Sequence, residues 1–120
     1  MYQRRNYPYV ITFDDRYVDG YGKLQIGDVL QKANWPLNAT YTLLRTGKSA
    51  TLFPKRAWTL DEDNKHIEYV AIDETGMLAP SYIMLALLNW LARDTIRVRY
   101  IKDQMVVLSK IEYFFDDDED

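Results

Sequence analysis

The sequence predicts an α+β fold: two strand–helix–strand–strand units related by a pseudo-two-fold axis, with an antiparallel sheet packed on two helices. Three observations point there. Residues 18–24 (VDGYGKL) and 72–78 (IDETGML) share Val18/Ile72, Asp19/Asp73, Gly22/Gly76 and Leu24/Leu78 at one spacing. Apolar residues at helical spacing follow each segment. Each helix then leads into two runs rich in β-branched and aromatic residues, separated by a short polar turn.

Taken in order, Tyr9–Phe13 reads as a strand and residues 14–22 as a loop. Ile26, Val29, Leu30 and Ala33 lie at i, i+3, i+4 and i+7, one face of a helix. Trp35-Pro36 ends it, because proline cannot extend the hydrogen-bond ladder. Thr40–Arg45 reads as a strand, 46–49 as a turn, and Ala50–Leu60 as a second strand. Pro54 inside that run predicts an edge position or a bulge. A polar turn at 61–64 is too short for a domain linker.

The second unit repeats this order. Lys65–Ile72 reads as a strand and Asp73–Ala79 as a loop. Pro80 opens a helix expected to run to about Arg93. Thr95–Ile101 and Met105–Phe115 read as the closing hairpin. A shift of 54 pairs Ile83, Met84 and Leu87 with Val29, Leu30 and Ala33. A shift of 55 pairs Leu52, Phe53, Lys55, Trp58, Leu60 and Asp61 with Val107, Leu108, Lys110, Tyr113, Phe115 and Asp116. One domain over 1–115 is expected, with repeats at about 9–60 and 65–115 and an acidic tail at 116–120. The second helix is apolar nearly all round, which predicts burial on most sides, as a central core helix or with one side given to a partner.

Composition narrows the function classes. At 120 residues with 48% hydrophobic and 28% charged side chains, the chain can bury a core without a metal or disulfide staple. It has no cysteine, so thiolate chemistry and sulfur-ligated metal sites are excluded. No targeting segment is visible, and the longest apolar run, 82–91, is too short to span a bilayer. The expectation is a cytoplasmic protein with no membrane association and no cofactor. The net charge of −3 is carried by the tail; residues 1–115 hold 15 basic and 13 acidic side chains, or +2.

Catalytic sets fail one by one. Residues 17–28 match a calcium loop at its glycine, aliphatic and final acid, but Tyr17 and Tyr21 stand where oxygen ligands are needed. Gly22 and Gly76 are better read as turn glycines, with Asp19 and Asp73 accepting loop N–H groups and Leu24 and Leu78 plugging the core. The single histidine, His66, sits in a polar stretch, and Ser49, Ser81 and Ser109 lie in no nucleophile motif. The expectation is that the chain is not an enzyme.

Three resemblances remain. Residues 13–33, ending in Leu30-Gln31-Lys32-Ala33, resemble the first strand, loop and central helix of hotdog-fold acyl-carrier thioesterases, which implies acyl binding or thioester hydrolysis. The family's histidine–asparagine–acid set has no counterpart here. Phe114-Phe115 followed by the acids of 116–120 resembles the tails of phage-type single-strand binding proteins. With Arg97 and Arg99 on one strand face and the Tyr2, Arg4, Arg5, Tyr7 arm, that implies single-stranded nucleic acid as an alternative partner. The paired-unit layout is similar in topology to gyrase-inhibitor-like and glyoxalase-like domains, whose motifs are missing. The leading expectation is a non-enzymatic protein-interaction module: an assembly subunit, adaptor or inhibitor of the phage accessory kind. Its partner is another protein or a second copy of itself. The candidate surface is Tyr82, Trp90, Arg97, Arg99, Phe114 and Phe115.

Overall fold

The computed structural model describes residues 9–54 and 66–112. In chain order the elements are β1 (Val10–Thr12), β2 (Arg16–Tyr17), β3 (Leu24–Gln25), α1 (Gly27–Ala33), β4 (Ala39–Thr46), β5 (Ser49–Phe53), β6 (His66–Ile72), β7 (Met77–Leu78), α2 (Tyr82–Leu88), β8 (Thr95–Ile101) and β9 (Met105–Lys110). The architecture is α+β. An antiparallel sheet runs β1-β8-β9-β5-β4-β6, with β2 also on β8, and β3 pairs separately with β7.

Alternation along the strands sets the core. Tyr41 and Leu43, Ala50 and Leu52, Val70 and Ile72, Ile96, Val98 and Tyr100, and Val106 and Leu108 point to one buried face. Val29, Leu30 and Ala33 from α1 and Met84 and Leu88 from α2 close over it. Trp35 stacks on Tyr41 and meets Tyr100 edge-on, with centroids 5.9 Å apart in both pairs. The Tyr41 hydroxyl donates to the Pro36 carbonyl.

The strand registers link the two halves of the chain. Leu24 pairs with Leu78, and Thr51 with Val107. Tyr17 pairs with Thr95 and Arg16 with Ile96, while Ala71 pairs with Thr40 and Val70 with Tyr41. Thus β1 and β2 of the first half bond to β8 of the second, and β6 of the second bonds to β4 of the first.

Several sequence expectations need correction. The second helix does not reach Arg93. It ends at Leu88, because Asn89 takes the left-handed conformation (φ 59°) and its N–H bonds back to Ala86. Asn34 ends α1 the same way, at φ 62°. Pro80 lies before the helix, not in its first turn; Ser81 is the cap, and its Oγ accepts the Met84 N–H at 3.1 Å. The second helix is not buried on most sides, since only Met84 and Leu88 are fully covered.

The shift of 54 also fails in the helices. Met84 and Leu88 occupy the buried places of Val29 and Ala33, a shift of 55, whereas Ile83 and Leu87 are exposed. In the hairpins the inward residues Ala50 and Leu52 match Val106 and Leu108, a shift of 56. A slip of one residue in a strand exchanges its faces, so burial decides the shift. Pro54 follows the last residue of β5, and β5 is interior, between β9 and β4. Proline ends the run there because it has no N–H to offer the ladder.

Candidate functional site

The loops that lead into the helices are built on aspartate. The Asp19 carboxylate accepts the backbone N–H groups of Tyr21 (2.8 Å) and Lys23 (2.9 Å). Those bonds, the one from Lys23 foremost, hold its pKa below the ordinary value. Asp73 accepts the hydroxyl and backbone N–H of Thr75, which lower its pKa likewise. Gly22 (φ 79°) and Gly76 (φ 78°) complete the turns in the left-handed region. Both loop glycines press against the opposite half. A Cβ on Gly22 would lie 2.6 Å from Leu85 Cδ1 of α2, and one on Gly76 would lie 2.4 Å from Gly27 Cα of α1. Leu24 and Leu78 are fully buried between them.

Where the first loop meets α2, a groove of about 500 Å³ opens. Asp19 to Lys23 form one wall; Tyr82, Leu85 and Trp90 to Ala92 form the other. The outer face of α2 continues from it. Tyr82 is 88% exposed, Ile83 62%, Leu87 43% and Leu91 62%, and Tyr21 across the groove is 84% exposed. From Thr75 to Ala92 the chain carries no charged side chain. These exposed side chains give α2 an apolar outer face, and large apolar patches on a folded domain mark places of contact.

The expected site residues therefore separate. Tyr82 lies on this surface. Trp90 lines the groove but is only 4% exposed, so it is a core residue, and its buried indole Nε1 has no hydrogen-bond partner among the described residues. Arg97 and Arg99 are exposed on the far side of the sheet. Arg97 pairs with Asp15 at 3.7 Å. Their cross-strand neighbours are Ser109, Thr12 and Val107, which offer no ring for a base to stack on. Phe114, Phe115, the acidic tail, the N-terminal basic arm and Trp58 lie outside the described residues. Ile83, Leu87, Leu91 and Tyr21 were not singled out by the sequence. The signal for them was the repeated Asn-Trp at 34–35 and 89–90. It fixes the helix shift at 55 and sets Ile83 and Leu87 against the exposed polar pair Asp28 and Lys32.

One polar cluster has the residue types of a hydrolase but not the order. Ser81 Oγ donates to Glu68 Oε1 at 2.6 Å, and His66 Nε2 lies 3.3 Å from the same oxygen. A serine nucleophile needs the imidazole between hydroxyl and acid; here the carboxylate is in the middle. Glu68 also accepts the Ser81 N–H at 2.9 Å, so the cluster ties the start of α2 to β6. A smaller hollow of about 260 Å³ carries Lys32, Lys102, Tyr9 and Tyr100. Among the described residues no cluster of three or more His, Asp or Glu side chains could hold a metal ion, and no helix is long and apolar enough to cross a membrane. Comparison with protein-family models, with curated proteins and with solved structures gives no match for this chain.

Proposed function

We propose that this chain is a non-enzymatic protein-interaction module that binds through the outer face of α2 and the groove beside it. The observation that carries the reading is a substitution pattern. Asp28, Gln31 and Lys32 keep the outer face of α1 polar; the positions 55 residues on are Ile83, Ala86 and Leu87, all exposed. Solvent alone gives no reason for that change, whereas a partner does. Tyr21 and Tyr82 add large side chains that bury much area for little lost entropy.

We also read the chain as an internal duplication with pseudo-two-fold symmetry. The self-matching registers Leu24–Leu78 and Thr51–Val107 support this, as do the paired left-handed caps at Asn34 and Asn89. On that reading one copy of the helix kept a solvent face and the other acquired a binding face.

Grafting α1's outer residues onto α2 tests the function. The triple variant Ile83→Asp, Ala86→Gln, Leu87→Lys is expected to melt within a few degrees of the parent and to lose proteins captured by the parent under cross-linking. Retention of the same proteins would overturn the reading. So would tight binding of single-stranded oligonucleotides with an affinity that collapses between low and moderate salt.

A further inference from the structure

We propose that the occupant of the α2 face is a second copy of this chain, packed antiparallel across a two-fold axis that passes near Leu87. This rests on the reading of α2 as the binding face and names its partner.

The geometry is that of a self-complementary ridge. Ile83 and Leu87 are spaced four residues apart and exposed, so they form one row on α2; Leu91, also exposed, follows the left-handed Asn89 that ends the helix and lines the groove beside it. Rows of this spacing interdigitate with their own kind when two helices cross. With Leu87 on Leu87, an antiparallel pairing turns Ile83 of each copy toward the end of the other's α2, where Leu91 stands. Leu91 lines the mouth of the groove, so each Ile83 enters the partner's groove beside Tyr82. The tyrosine hydroxyls stay at the wet rim.

The ridge also holds nothing that a second copy would repel: no charged residue lies between Thr75 and Ala92, with no acid in the first turn of α2 and no base in its last, and the two charges on the far wall of the groove, Asp19 and Lys23, are of opposite sign. The extent of the surface also suits a dimer. At the exposures found, Tyr21, Tyr82, Ile83, Leu87 and Leu91 offer on the order of 700 Å² per copy, against about 800 Å² per partner in a stable complex.

The chain has no cysteine, which makes the test direct. Sedimentation of the full chain over a concentration series is expected to show a monomer–dimer equilibrium. Ile83→Asp should raise the dissociation constant by about 100-fold, as loss of a central apolar anchor does, with an unchanged circular dichroism spectrum. Leu87→Cys should form a disulfide-linked dimer on mild oxidation, while Lys32→Cys, on the outer face of α1, should stay unlinked. The Leu87→Cys result stands even if Ile83→Asp disturbs folding. A parent that stays monomeric at hundreds of micromolar overturns the proposal, as does a dimer that ignores Ile83→Asp and leaves Leu87→Cys unlinked. The binding-face reading falls separately: a monomer whose captured proteins are lost in the triple graft keeps that reading and removes only self-pairing, whereas a monomer whose captures survive the graft removes both.

Discussion

The helices α1 and α2 have the same length, the same left-handed asparagine at the end and the same tryptophan after it, yet they are held in place by different chemistry. The N-cap residue of α1, Ile26, makes no side-chain capping bond. The helix is fixed by a charged clamp: Arg16 donates through both terminal nitrogens to Asp28 at 2.7 Å, and also to the Gln25 and Asp14 carbonyls. Gln25 reaches across to the Thr75 carbonyl and accepts the first N–H of the helix. α2 has a serine cap tied to Glu68, and the places that correspond to Arg16 and Asp28 are Val70 and Ile83. Two helices can therefore share position and ends while one presents ions and the other oil. What differs is the outer face, Asp28 and Lys32 on α1 against Ile83 and Leu87 on α2.

The glycines sharpen this contrast most. Gly76→Ala would drive a Cβ into the backbone of Gly27, which cannot step aside, and would also strain a positive φ. A loss of about 4 kcal/mol or outright failure to fold is expected, measured by urea denaturation. Gly22→Ala carries the same φ penalty but meets only the tip of the Leu85 side chain, which can rotate. About 1–2 kcal/mol is expected there. Equal losses at the two sites would break the comparison. Ser81→Ala removes the cap of α2 and one bond to Glu68, for about 1 kcal/mol; the N-cap of α1, Ile26, has no such bond to lose.

The smallest effect is electrostatic. The hydrogen-bonded Arg16 guanidinium holds the Asp28 carboxyl below its ordinary value of 3.8. A carboxyl lowered in the fold stabilises it above the unfolded pKa and loses that contribution as pH falls through the folded one. The pair is partly exposed, so Asp28→Asn should cost no more than about 1 kcal/mol at pH 7. The gap between variant and parent should narrow from about pH 4 downward and close in stronger acid. A gap that persists unchanged at pH 2 would mean that the clamp acts by shape and not by charge.

Much of this fold was legible in the sequence, because strands that alternate between core and solvent declare themselves. Thr95–Ile101 was read with the bounds it has, and β4 and β6 within a residue at either end. The short pairings were not legible. β2, β3 and β7 hold two residues each, and only a distant partner makes them strands. The end of α2 was missed because an asparagine in an apolar run does not announce a positive φ. The exposed apolar face of α2 was hidden by its own composition: an exposed Ile83 and a buried Met84 are equally apolar, and only the placement of Asn-Trp tells which one points outward. The loops were read correctly as turns on Asp19, Gly22, Asp73 and Gly76, but nothing local foretold that Gly76 lies against Gly27.

The interleaved strand order has a further result. A peptide ending near residue 54 would contain β4 and β5 but neither β6 nor β9, the strands on either side of them. The remaining peptide would hold β8 without β1 or β2. Each severed piece thus exposes both margins of a hairpin whose mates reside on the other piece, so separated pieces should stay unstructured and regain order on being mixed. Intact, the polypeptide has to bring remote stretches together before any pairing is secure, which makes its assembly slow for its size and leaves no autonomous half for a protease or a truncation to spare.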